Sequence, residues 1–222
     1  MTQFKTILAR AEKRAGGKTA LARVLPKPKS ASALVKLPDA RYLSAMSLRV
    51  FRAGLKHSLV DAKWPAFESV FHGFEPRRVR AMSDEALERL MADRRLIRHW
   101  GKLKSVRDNA AAMLTLADEC GGFGRYLAEW PSDQVVELWD DIARRFRQMG
   151  GNSAAYFLRM VGKDSFILTP YVMRALARWG GVKNAASGKT GRRQAQAAIL
   201  AWAREGKRPL SQVSMILARS VD

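Results

Sequence analysis

The stretch Phe146-Arg147-Gln148-Met149-Gly150-Gly151-Asn152-Ser153-Ala154 sets a glycine turn between two helical patterns, the second running through Tyr156-Phe157-Leu158-Arg159-Met160-Val161 to Gly162-Lys163-Asp164. Backbone N–H groups at such a turn, opening onto the start of a helix, form a concave donor site for an anion. The chain carries 40 Lys and Arg against 20 Asp and Glu, a formal net charge of +20. The anion that fits this balance is nucleic-acid phosphate, because each neutralised phosphate releases condensed counterions.

Composition narrows the remaining classes. With 222 residues and 47% hydrophobic side chains, the chain is long enough for one large domain or two lobes sharing a core. It has one cysteine, Cys120, and three histidines, His57, His72 and His99. That set excludes an internal disulfide and a four-thiolate iron–sulfur site, and it argues against structural zinc, so no metal and no cofactor are expected. No apolar run approaches the length that spans a bilayer. The basic, amphipathic segment from Thr2 to Arg14 reads either as a transit peptide or as a charged surface helix. A cytoplasmic, nucleoid-associated monomer is expected.

Apolar spacing is helical almost throughout, which predicts an all-α fold. Phe4, Ile7, Leu8 and Ala11 share a face, and Pro26-Lys27-Pro28-Lys29-Ser30-Ala31-Ser32 reads as a linker. Residues 1–38 are therefore expected as a basic helical extension and residues 39–222 as the main domain. Trp64-Pro65 is expected just inside a helix start, and Leu96 to Ala117 as one long helix closed by Gly121-Gly122. Phe166-Ile167-Leu168 reads as an ordered connector, and Ser211 as the cap of a last helix.

Several stretches, taken in order, resemble the 3-methyladenine DNA glycosylase I family of the helix-hairpin-helix glycosylases. They are Phe51-Arg52-Ala53-Gly54-Leu55, then Phe67-Glu68-Ser69-Val70-Phe71-His72-Gly73-Phe74-Glu75-Pro76, then Ser83 to Asp93 with Ile97-Arg98, Lys102-Leu103 and Asp108-Asn109-Ala110. The hairpin with Tyr156, Phe157, Leu158 and Val161-Gly162 completes the pattern, which covers about residues 40–180. The resemblance implies a two-lobed helix-hairpin-helix DNA glycosylase-like bundle. It also implies hydrolysis of the bond between deoxyribose and an alkylated or otherwise damaged purine in double-stranded DNA, with the base flipped into a pocket.

The departures from that family concern the chemistry. Arg49 stands where the family places the glutamate that recognises the base, and one cation about 4 Å from another is repelled by about 1 to 4 kcal/mol across effective dielectrics of 80 to 20. Arg49 either points into the pocket and disfavours cationic 3-methyladenine, or snorkels outward to a phosphate. His57 corresponds to the pocket tryptophan; it can stack on a base or donate a proton, or it is a surface histidine. The family's zinc ligands have no counterparts. Thr169 falls where the superfamily often carries a connector aspartate, leaving Asp164 as the nearest acid, and Asn152 stands in place of the lyase lysine, which implies a monofunctional enzyme.

Asp164 and His57 are the catalytic candidates. Tyr42, Arg49, Arg52, His57, Trp100, Thr169 and Tyr171 are candidates for the base pocket. Arg147, Met149, Gly150, Gly151, Asn152 and Ser153 are expected on DNA, together with Lys189, Arg192 and Arg193. The N-terminal cations Lys5, Arg10, Lys13, Arg14 and Lys18 read as a further backbone-contact face. The alternative is a non-catalytic DNA-binding protein that keeps the glycosylase scaffold.

Overall fold

The computed structural model describes residues 1–185 and 188–222, and among these every regular element is a helix. The main helices are α1 (Phe4–Ala15), α2 (Lys18–Val24), α3 (Ala31–Val35), α4 (Asp39–Arg52), α5 (His57–Val70), α6 (Pro76–Arg80) and α7 (Asp84–Leu90). They continue with α8 (Trp100–Cys120), α9 (Phe123–Glu129), α10 (Val135–Arg145), α11 (Ser153–Val161), α12 (Pro170–Ala175), α13 (Gly188–Gly206) and α14 (Leu210–Arg219). The fold is all-α, as the helical periodicity requires.

The contacts divide the chain into two compact units: residues 1–29, 131–138 and 162–222 form one, and residues 30–130 with 139–161 form the other. The division does not follow the expected boundary at 38/39. Within the first unit the apolar face of α1 is covered: Phe4, Ile7 and Ala11 are all buried. The Phe4 N–H donates to Glu205 Oε1 at 2.7 Å, Trp202 Nε1 donates to the Thr2 carbonyl at 2.9 Å, and Arg10 Nε donates to the Ser220 carbonyl at 2.9 Å. An amphipathic helix gains more by burying that stripe against α13 and α14 than by remaining solvated. In the same unit, residues 166–168 form a buried connector without regular structure, tied by the Ile167 N–H donating to Ser214 Oγ at 3.2 Å.

The second unit is built around α4, whose Leu43, Met46, Val50 and Phe51 are fully covered by neighbouring helices. An aromatic series extends from Phe51 through Phe67 (4.5 Å between centroids) to Trp64 (5.0 Å) and Phe74 (5.3 Å). Each fully buried phenylalanine contributes about 1.5 to 3 kcal/mol relative to exposure. That gain offsets much of the cost, about 1 to 2 kcal/mol per residue, of the positive φ that His72 (56°) and Phe74 (60°) adopt where the Phe74 ring joins the series. The stretch expected as linker has no regular structure through residues 26–30, and its last two residues open α3, where Ser30 Oγ accepts from the Ala33 N–H. α3 lies so close to α9 that a Cβ on Gly124 would stand 2.5 Å from the Leu34 carbonyl oxygen.

Two helix starts differ from expectation. α5 begins at His57, so Pro65 lies inside it and removes one backbone donor rather than opening the helix. α8 begins at Trp100, because His99 caps it, its Nδ1 accepting from the Lys102 N–H at 3.3 Å. The far end of α8 closes at Gly121 in the left-handed region, φ 69°, as the Gly121-Gly122 pair predicts.

Candidate nucleic-acid interface

The turn between α10 and α11 spans residues 146–152. Its shape comes from alternating exposure: Phe146 and Met149 are buried and anchor it, while Arg147, Gln148, Gly150, Gly151 and Asn152 face solvent. Gln148 and Gly151 have φ of 65° and 58°, a left-handed bend at each side of the Met149 anchor. The Ser153 N–H returns to the Gly150 carbonyl at 3.1 Å, and no described residue accepts from the Gly150 or Gly151 N–H. Two free amides on an exposed turn at the start of a helix are placed to donate to an anion.

Asn109, buried in α8, holds this turn. Its Oδ1 accepts from the Arg147 N–H at 2.7 Å and its Nδ2 donates to the Arg147 carbonyl at 3.1 Å. In the same unit, Asp141 accepts from Tyr126 Oη at 2.7 Å and Arg145 Nε at 2.9 Å and also binds Arg144, and Arg145 reaches Glu119 at 3.4 Å. Arg145 is thereby partly neutralised. Arg147 has no acidic partner among the described residues and is the cation this turn offers. The sequence pointed to Arg147 and the glycines but gave no role to Asn109, since a buried asparagine inside a helical stripe carries no local signal of what it will bind.

A second feature of the same unit joins α4, α8 and α11. The Arg49 guanidinium stacks over the Tyr156 ring, its central carbon 4.5 Å from the centroid. Its Nε is buried without a hydrogen-bond partner among the described residues. Lys102, buried at the start of α8, donates to the Ala53 carbonyl at 2.7 Å and the Phe51 carbonyl at 3.3 Å, capping the C-terminus of α4. Burial lowers the Lys102 ammonium from its ordinary range, and the nearby Arg49 charge lowers it further. Burial likewise lowers Arg49, with Arg52 acting in the same direction and Tyr156 opposing. The result is a positively charged corner in which no described acid pairs with Arg49 or Lys102.

The other pocket candidates of this unit are placed less centrally. Tyr42 is in the core: its hydroxyl donates to the Leu34 carbonyl at 2.8 Å, its ring meets Phe123 edge-on at 5.1 Å, and burial pushes its pKa up to about 12. Arg52 is held by Asp61, with Nε and Nη2 at 2.9 and 2.7 Å from one oxygen. His57 is exposed at the start of α5, and Trp100 is 36% exposed at the start of α8.

In the first unit, Asp164 accepts from the backbone N–H groups of Leu210 (2.8 Å) and Ser211 (2.9 Å). It therefore caps α14, the role expected of Ser211, whose Oγ is buried without a partner. Asp164 also lines a cavity of about 530 Å³ with Asp133, Arg204 and Arg208. Thr169 Oγ1 accepts from the Val172 N–H at 3.2 Å and caps α12, while Tyr171 is 51% exposed with Arg174 4.6 Å from its ring centroid. Lys189, Arg192 and Arg193 open α13; Arg192 Nε donates to the Gly188 carbonyl at 3.2 Å, and Arg193 pairs with Glu137 at 3.0 Å.

Residues 35–159, more than half of the chain, match the family model described as methyladenine glycosylase. The match contains the Asn109-held turn and the Arg49 corner, and it leaves out Asp164, Thr169, Tyr171 and the α13 cations. DNA-3-methyladenine glycosylase 1 of Escherichia coli (strain K12) is 40% identical over 65 residues, 29% of this chain and 35% of that protein. The match thus spans about a third of that relative's length. Among solved structures, a 3-methyladenine DNA glycosylase I variant in complex with 3-methyladenine has a TM-score of 0.53 at 21% identity, covering 63% of this chain and 81% of the other. The 3-methyladenine DNA glycosylase I of Staphylococcus aureus has a TM-score of 0.52 at 22% identity, covering 63% and 80%. At these identities the structural likeness is one of fold.

Proposed function

We propose, from the premise that the chain belongs to the methyladenine glycosylase family, that it is a monofunctional DNA glycosylase which removes a damaged purine from duplex DNA. The observation that carries this reading is the turn with unpaired Gly150 and Gly151 amides, fixed by Asn109 and lying within the family match. The amides and Arg147 bind backbone phosphate, and this sequence-independent contact holds the duplex while the damaged nucleotide leaves the stack. Water then adds to the sugar carbon as the bond to the purine breaks, and the departing base takes up a proton. Asn152 offers no amine, so no Schiff base forms with the sugar.

Asp164 and His57 have different standing in this reading. Both oxygens of Asp164 are engaged by α14 amides, which supports a structural role. His57 is exposed and free to approach DNA. DNA binding without excision is the second reading, favoured because no acid among the described residues pairs with Arg49.

The test is incubation with methylated duplex DNA, alkaline conversion of abasic sites to breaks, and mass analysis of released bases. Release above a heat-only control supports the enzyme. Tight, salt-sensitive binding with no release supports the second reading.

A further inference from the structure

We propose that Arg49, placed over the Tyr156 ring with Lys102 beside it, recognises an uncharged purine through its hydrogen-bond acceptors and discriminates against cationic alkylated purines. The inference rests on the proposed function to the extent that a flipped base reaches this corner of the α4, α8 and α11 unit. The buried Arg49 Nε has no acceptor among the described residues. Buried polar atoms in folded proteins are almost always paired, so an orphan donor marks a place where a ligand or water supplies the missing acceptor. Arginine has only donors, five N–H bonds in a planar fork, and cannot adapt by giving up its proton.

The surroundings select the kind of acceptor. Lys102 already donates to two carbonyls of α4, so it contributes charge more than a directional bond. Arg52 is paired with Asp61, and among the described residues no acid pairs with Arg49. A ligand arriving with its own positive charge therefore meets repulsion that nothing offsets. A neutral purine with O6 and N7 acceptors on one edge matches the guanidinium fork with two parallel hydrogen bonds. The contact with the Tyr156 ring, 4.5 Å from its centroid, holds the guanidinium before the base arrives, which reduces the entropy lost on binding.

A backbone phosphate fits less well. It carries a full charge and a tight hydration shell, which would have to be stripped to reach a buried Nε. The exposed Gly150 and Gly151 amides are the better place for it.

The test compares three duplexes of one sequence: undamaged, with a single hypoxanthine, and with a single cationic 7-methylguanine. Binding is measured by fluorescence anisotropy at fixed salt, and base release by mass. The wild-type protein is expected to favour hypoxanthine over 7-methylguanine by on the order of tenfold or more, the scale of one bidentate arginine contact. Arg49→Gln should abolish the preference and Arg49→Glu should reverse it, with circular dichroism confirming that each variant is folded. Equal or tighter wild-type binding of the 7-methylguanine duplex overturns the proposal, and this outcome needs no variant. Equal weakening of all three duplexes by Arg49→Gln also overturns it, by making Arg49 a backbone contact. Preferential, Arg49-dependent binding with no base released would uphold the recognition site while removing the glycosylase reading.

Discussion

Asn109 and Arg147 exchange two hydrogen bonds, the Arg147 N–H donating to Asn109 Oδ1 at 2.7 Å and Asn109 Nδ2 donating to the Arg147 carbonyl at 3.1 Å. A side chain 1% exposed on α8 thus takes the place of a backbone partner for the residue that enters the turn. Asn109→Ala removes both bonds and is expected to destabilise the protein by about 1 to 3 kcal/mol, read as a lower urea midpoint. Duplex affinity should fall as well, because the turn amides lose their fixed orientation. Unchanged affinity in the folded variant would show that the turn does not depend on this clamp.

The two turn glycines should separate stability from binding. Gly151 has φ 58°, so Gly151→Ala strains the backbone by about 1 kcal/mol although no atom lies within 4 Å of the new Cβ. Gly150 has neither a left-handed φ nor a close neighbour, so Gly150→Asp should leave thermal stability almost unchanged. Its carboxylate beside the free amides should weaken binding to all duplex sequences alike and flatten the dependence on salt. Undiminished affinity for duplex DNA would move the phosphate contact elsewhere.

Lys102 gives a pH dependence with a definite sign. Its folded-state pKa lies below the ordinary 10.5, first through burial and then through Arg49. The folded state therefore bears a costly charge at neutral pH, and the cost is relieved as pH rises through the folded pKa toward 10.5. Lys102→Met removes both the charge and the two bonds to α4, so the stability difference between wild type and variant should shift toward wild type as pH rises from neutrality to about 10.5. Urea midpoints of the two proteins at several pH values decide it, and a constant difference would mean the ammonium is well solvated.

How much of this was legible in the sequence depended on the range of the interactions. Period and caps are local, so the all-α class, the Gly121 stop and the Gly150-Gly151 turn could be read directly. The placement of α1 could not: Phe4, Ile7 and Ala11 show an apolar face, but nothing nearby says that α13 and α14 cover it. Arg49 and Tyr156 are likewise more than a hundred residues apart, and their stacking arises only once α4 and α11 pack. Asp164 shows the same limit from the other side. Its carboxylate was visible as a candidate acid, while the amides that occupy it lie some 46 residues away.

That occupation yields the last expectation. With Leu210 N–H at 2.8 Å and Ser211 N–H at 2.9 Å, the carboxylate satisfies two of the amides that a helix start leaves unpaired. Its negative charge also suits the positive end of α14. Asp164→Ala should therefore lower stability by about 0.5 to 2 kcal/mol, the usual cost of a lost N-cap. Asp164→Asn retains an acceptor and should lose less. If excision is observed, its rate per folded molecule should stay close to wild type in both variants. A catalytic carboxylate would give the opposite pattern, a rate that collapses in Asp164→Asn while the urea midpoint hardly moves. Measuring both quantities on the same two variants separates the cap from the acid.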